Sequence, residues 1–201
     1  MSYLFSELLQ GDSDNRRGPG RRFGPYHLFG ALSEISASGR TGRARISKSL
    51  GIGEGSARTL LDLLEESSLI SRSNAGIVLT DRGRSALASF PVRIVSISRC
   101  TLSTGKHTSM GVVTGRSKSV TNGIRQRDEA VKHGGDGAIT MVVREGRLLL
   151  PPDYGEVRDE TVEKAAFGSL GSSDGDAVVI ASGSTQPLSH MATFHAAITL
   201  L

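Results

Sequence analysis

The sequence has no tryptophan and a single cysteine, Cys100. One cysteine excludes an internal disulfide and any zinc site built on several thiolates. As a free thiol it reads as a small buried hydrophobe, with redox sensing as the alternative. Aromatic residues make up only 4% of the chain, so a core has to rest on Leu, Ile, Val and Ala. No run of about 18 apolar residues occurs, which leaves no helix to span a bilayer. The opening MSYLFSELLQGDSDNRR lacks a basic leader and a small-residue cleavage site, so a cytoplasmic protein without a secretory signal is expected. Repeats of solenoid length are also missing.

What is present is glycine, 25 residues of it, and an uneven distribution of charge. From Met1 to Ser98 there are 13 Lys/Arg against 9 Asp/Glu, whereas from Arg99 onward there are 11 against 11. Between Arg16 and Arg58 nine basic residues face only Glu34 and Glu54. A basic stretch inside an otherwise balanced chain points to a polyanionic partner; a solvated basic surface is the alternative. Residues 1–25 include RRGPGRR and read as a flexible arm, either idle or able to track a DNA minor groove.

Periodicity organises the rest. Leu28, Phe29, Leu32 and Ile35 mark a first helix from about Tyr26 to Ser38. Ile46 and Leu50 mark a short second helix from Arg43, broken by Gly51. Ala57, Leu60, Leu61 and Leu64 form the stripe of a third helix, from about Gly55 to Glu66. Two short apolar runs around Arg72–Gly76 predict a hairpin, and a fourth helix follows from Asp81 to Phe90. Helix, short helix, glycine turn, helix, hairpin and helix is the order of a winged helix-turn-helix. In that motif the third helix enters the major groove and the hairpin flanks it.

The chemistry of the third helix suits that task. Opposite its apolar stripe lie Gly55, Arg58, Thr59 and Asp62, with Ser56 at the flank. Arg58 can reach a guanine edge or a phosphate, and the two hydroxyls can do either. Arg43 and Lys48 on the second helix are expected to meet phosphates, and Arg72 and Asn74 are placed at the hairpin tip, toward phosphates or the minor groove. Glu65 and Glu66 are expected to face away from the groove or repel phosphate.

The pieces ISKSLGI, GSARTLLDLLEESSLI and GIVLTDRG resemble the winged-helix domains of prokaryotic transcription regulators. The resemblance covers Tyr26 to Phe90 and implies duplex DNA as partner, protein contact being the other use of such domains. The longer stretch GIRQRDEAVKHGGDGAITMVVREGRLLLP resembles uncharacterised archaeal proteins that join a winged helix to a small α/β domain. It implies an architecture and no ligand.

From residue 92 onward strands alternate with helices, predicting a βαββαβα-like α/β domain. The whole chain is therefore expected to be α+β: an arm over 1–25, a winged helix over 26–91, and a dimerisation or ligand-sensing domain over 92–201. Two loops join strands to helix starts. One carries Arg116, Ser117 and Lys118 with Arg125 just beyond, and the other carries Ser182 and Ser184. Such joints can cradle an anion, so a small anionic effector is expected there. Catalysis is not. His190 and His195 are five apart, about 140° around a helix, His133 has no nucleophile beside it, and Asp128 and Glu129 sit among Arg127 and Lys132. No cofactor or metal is expected, and the functional reading is a homodimeric regulator. A metabolite-binding protein or small enzyme whose winged helix serves protein contacts is the alternative.

Overall fold

The computed structural model describes residues 23–201. The arm expected over 1–25 lies outside the described residues up to position 22. The chain is α+β and divides between Phe90 and Pro91 into two compact units.

In the first unit, α1 (Pro25–Ser38) buries Leu28, Phe29, Leu32 and Ile35. Pro25 occupies the first turn, where a missing N–H costs nothing. The Gly24 N–H donates to Nδ1 of His27 at 3.0 Å, which closes the helix start. After α2 (Arg43–Leu50) the chain turns at Gly51, with φ 66° and ψ 29°. The Gly51 amide donates to Lys48 O, the Ile52 amide to Ser47 O, and the Ser47 hydroxyl to Ile52 O at 2.6 Å. These bonds satisfy the last carbonyls of α2 and aim the chain into α3 (Glu54–Glu66). Because the turn needs a left-handed residue, Gly51→Ala is expected to cost about 1–2 kcal/mol. Gly51→Asn should cost less, and urea denaturation of the two variants checks the order.

Helix α3 buries Ala57, Leu60, Leu61 and Leu64 against α1 and α2. The wing pairs β1 (Ile70–Ser73) with β2 (Gly76–Leu79), antiparallel, with Ile70 opposite Leu79. Thr41 forms an isolated bridge to Ile77, which ties the segment before α2 to the wing. Helix α4 (Asp81–Ala88) is capped by Thr80, whose hydroxyl accepts from the Gly83 amide and donates to Ser68 O at 2.7 Å.

The second unit is a sheet of β3 (Val92–Ile97), β4 (His107–Val113), β5 (Gly135–Arg144), β6 (Arg147–Leu150), β7 (Gly155–Glu156) and β8 (Ala177–Gly183). Among the described residues its order is β3-β4-β8-β5-β6-β7, and every neighbouring pair is antiparallel. Alternation along the strands sorts side chains onto two faces. Met110, Val112, Met141, Val143, Val178 and Ile180 form one, covered by Val162, Ala165, Ala166 and Leu170. Those covering residues come from α6 (Glu160–Glu163), a π-helix (Lys164–Ser169) and the residue after it.

The other face carries small residues under α5 (Ile124–Lys132) and α7 (Gln186–Ile198). Gly111 lies so close to Thr193 that a Cβ there would fall 2.8 Å from its methyl group. The Ser109 and Thr193 hydroxyls pair at 2.6 Å in the dry interior. Small side chains thus let α7 sit low on the sheet, and a buried hydrogen bond replaces the missing apolar bulk.

Candidate nucleic-acid interface

Arg58 is exposed on α3, with Ser56 and Thr59 half-buried beside it. Thr59 uses its hydroxyl proton on Gly55 O at 3.2 Å, which leaves the oxygen as an acceptor. Lys48 is exposed near the end of α2, two residues before the buried Leu50. Neither Lys48 nor Arg58 makes an ion pair among the described residues. Arg43 is engaged by Glu54 at 3.2 Å, a bond that ties the first turn of α2 to that of α3. Both partners are exposed, so the bond is weak and Arg43 can exchange Glu54 for another anion.

Arg72 is placed differently from the sequence expectation. The tight turn occupies only Asn74 and Ala75, and strand β1 runs through Arg72 to Ser73. Asn74 stands exposed at the tip, while Arg72 folds back onto α3. Its Nη1 donates to Asp62 Oδ1 at 2.7 Å and its Nε to Glu65 Oε2 at 2.7 Å, with Nη2 on the same Glu65 oxygen. The Arg72 amide also donates to Glu65 Oε1 at 3.2 Å. Hydrogen bonds from the Arg72 side chain hold the Glu65 carboxyl below the usual carboxylate range. Arg72 is therefore a screen for two carboxylates of the third helix, its guanidinium turned back onto α3 and away from the tip. Glu65 correspondingly does not act as a bare negative charge.

The same pattern covers the rest of the unit. Glu34 is held by Arg45 and Asp81 by Arg84, each at 2.6 Å. Among the described residues only Glu66 keeps an unpaired carboxylate here, whereas Arg40, Lys48, Arg58 and Arg82 keep unpaired cations.

The two loops expected to share an anion do not meet. Val113 pairs with Ala177 and His107 with Gly183, so the loops after β4 and β8 leave from opposite ends of two neighbouring strands. Seven residues of strand separate them, roughly 20 Å. The first loop is also internally satisfied. The Gly115 amide donates to Asp176 Oδ1 and the Ser117 amide to Gly175 O, both at 2.8 Å, and those of Ser119 and Val120 turn back on Arg116 and Ser117. Asp176 already fills the place of an anion. Arg116, Lys118 and Arg125 remain exposed at that end.

At the other end Ser182 is fully buried, accepting from the Thr104 amide and paired with the Thr108 hydroxyl, both at 3.1 Å. Ser184 is exposed. Ser182 is a structural hydroxyl within a polar chain that continues through Thr108 to Ser103 and Cys100.

Sequence reasoning also missed a contact. His133 and His195 stack with ring centroids 3.5 Å apart and planes 3° from parallel. Nothing in their spacing signals it, because α5 and α7 are brought together only by the sheet beneath them. Among the described residues no three metal-ligating side chains converge, and no helix is long and apolar enough to cross a membrane.

Comparison with known proteins extends the architecture. Residues 104–200 match a family model described as a domain of unknown function (DUF4443). No functionally curated protein matches the chain. In structure the chain is similar to a hypothetical protein from Sulfolobus solfataricus over 33% of its length and 52% of that chain, with 22% identity and a TM-score of 0.30. It aligns with the transcriptional repressor CouR, bound to p-coumaroyl-CoA, over 43% of its length and 59% of that chain, with 27% identity and a TM-score of 0.30. A hypothetical protein from Pyrococcus horikoshii OT3 aligns over 86% of this chain and 91% of that one, with 26% identity and a TM-score of 0.68. The winged helix followed by an α/β unit is thus an architecture that this chain shares with an archaeal protein along most of its length.

Proposed function

We propose that the protein is a DNA-binding transcription regulator that places α3 in the major groove. The observation that carries this reading is the pairing of charges in the winged helix. Five of its described carboxylates are held by arginines, while Lys48 on α2 and Arg58 on α3 stay exposed and unpaired. A helix-turn-helix whose own acids are neutralised presents a net positive surface to phosphate. Arg58, Ser56 and Thr59 then supply base-edge or phosphate contacts, Arg43 and Lys48 position the backbone, and Asn74 reaches the flanking groove. The chain carries no reaction of its own on this reading.

A regulator of this kind works as a two-fold pair, with recognition helices about 34 Å apart on a pseudo-palindrome. The second unit would supply the pairing, and among the described residues β3 stands at one edge of its sheet, where strand pairing is open to a second copy.

Fluorescence anisotropy on fragments selected from genomic DNA, at several stated salt concentrations, tests the proposal. Affinity should fall steeply with salt. Lys48→Ala should weaken all sequences alike and lower the salt slope by about one, whereas Arg58→Ala should cost about 1–3 kcal/mol and relax sequence preference. Binding that is salt-insensitive, or unchanged in both variants, overturns it.

A further inference from the structure

A cavity of about 450 Å³ opens between the end of β3 and the π-helix. Its walls include Ile97, Ser98, Glu160, Thr161, Lys164 and Ser169. The volume lies within the range of small-molecule sites, and the lining combines hydroxyls, one carboxylate and one ammonium around a small apolar patch.

The backbone shapes this wall. Lys164 and Ser169 are five residues apart, which in an α-helix would turn them about 140° away from each other. Here the Leu170 amide donates to Ala165 O at 3.0 Å, the i→i+5 bond of a π-helix. The wider turn stacks residues five apart, so both side chains reach the same cavity. A π-helix is rare and frequently found at functional sites. The opposite rim is tied down as well. Asp159 accepts from the Thr161 and Val162 amides at the start of α6, and from the amide and hydroxyl of Thr101 at 2.9 and 2.7 Å. Those bonds join α6 to the loop that follows β3 before any ligand arrives.

Charge supplies the specificity. Glu160 and Lys164 stand at i and i+4 in the order that ordinarily pairs along a helix. They make no ion pair with each other or with any other described residue. One cation and one anion are therefore both presented to the cavity. We infer that it binds a small zwitterion of the amino-acid class. The ligand carboxylate would meet Lys164, its ammonium would meet Glu160, and its side chain would lie toward Ile97 and Ala165, with Ser98, Thr161 and Ser169 available for hydrogen bonds.

The site belongs to the second unit alone, so it is tested on the full chain without DNA and independently of the DNA-binding reading. Calorimetric titration with the common amino acids is compared with carboxylates lacking the amine, such as propionate, and amines lacking the carboxylate, such as ethylamine. At least one amino acid should bind saturably while its two half-analogues do not. Lys164→Gln and Glu160→Gln should each weaken that binding on the order of tenfold or more. Both residues are exposed, and thermal melts of the unliganded variants check that they fold. Absence of saturable binding by any amino acid, equal binding of a half-analogue, or unchanged binding in both variants overturns the assignment. If a variant fails to fold, the comparison of amino acid with half-analogues on the unaltered chain decides the question.

Discussion

Gly83→Ala is expected to destabilise the winged helix severely. Gly83 lies buried in the first turn of α4, and a Cβ there would stand 2.0 Å from the Leu69 carbonyl oxygen and 3.0 Å from its carbon. The obstacle is backbone, so no side-chain rotation relieves it. To make room, α4 must lift away from the segment entering β1. That movement breaks the Thr80 hydroxyl bonds to both Gly83 and Ser68, which clasp the two elements together. Overpacking of this kind costs about 3 kcal/mol or more, against a total of roughly 5–15 kcal/mol for a domain.

Gly55→Ala provides the contrast. Nothing lies within 4 Å of its added Cβ, and the position is in the first turn of α3. It should be stabilising by about 0.5–1 kcal/mol. Hydrogen exchange of amides between residues 26 and 88, with urea denaturation, measures both. A Gly83→Ala protein within about 1 kcal/mol of the unaltered chain would show that α4 is free to move.

Arg72→Ala should weaken DNA binding on the order of tenfold at low salt, although Arg72 touches no nucleic acid in the arrangement proposed. Its removal takes away one positive charge and uncovers Asp62 and Glu65 on the exposed side of the recognition helix. The triple variant Asp62→Asn, Glu65→Gln, Arg72→Ala separates screening from contact. If Arg72 acts by screening, removing the two carboxylates as well restores most of the affinity. If Arg72 instead binds phosphate directly, the triple variant stays well below the double variant Asp62→Asn, Glu65→Gln that keeps Arg72. Glu65 should in addition titrate closer to the usual carboxylate range once Arg72 is gone, because the arginine's hydrogen bonds are what hold it down. Carboxyl resonances followed by NMR through acid pH report that change.

Much of the first unit was legible because its signals are local. The stripe through Ala57, Leu60, Leu61 and Leu64 repeats with the helical period, and all four are buried. Gly51 sits one residue past Leu50, where a left-handed turn is needed. The exposed face around Arg58 follows from the stripe by exclusion. Arg72 was misplaced because a turn of two residues and a turn of five look alike in composition. Its actual partners, ten and seven residues back, lie across a helix-to-strand packing that no window contains.

In the second unit the strands and helices were again visible, but their directions were not. The expectation that Ser182 and Arg116 serve one ligand assumed strand ends on a common side, as in a parallel sheet. Antiparallel pairing of β4 with β8 puts them at opposite ends of the strands. A helix begins at Glu160. Its passage into a π-helix has no periodic signature, since one wider turn shifts only a few side chains.

The sequence by itself determined the helices of the first unit and where cations outnumber acids, since period, caps and charge act between near neighbours. Only the tertiary structure decided which arginines are free. Ion pairs such as Arg72 with Asp62 and Glu65, or Arg45 with Glu34, form between elements whose packing first brings them within reach. The same packing stacked His133 on His195, separated the two loops, and turned Glu160 and Lys164 toward one cavity. Burial of apolar faces has no direction of its own, so which polar groups end up facing each other is settled when the layers close.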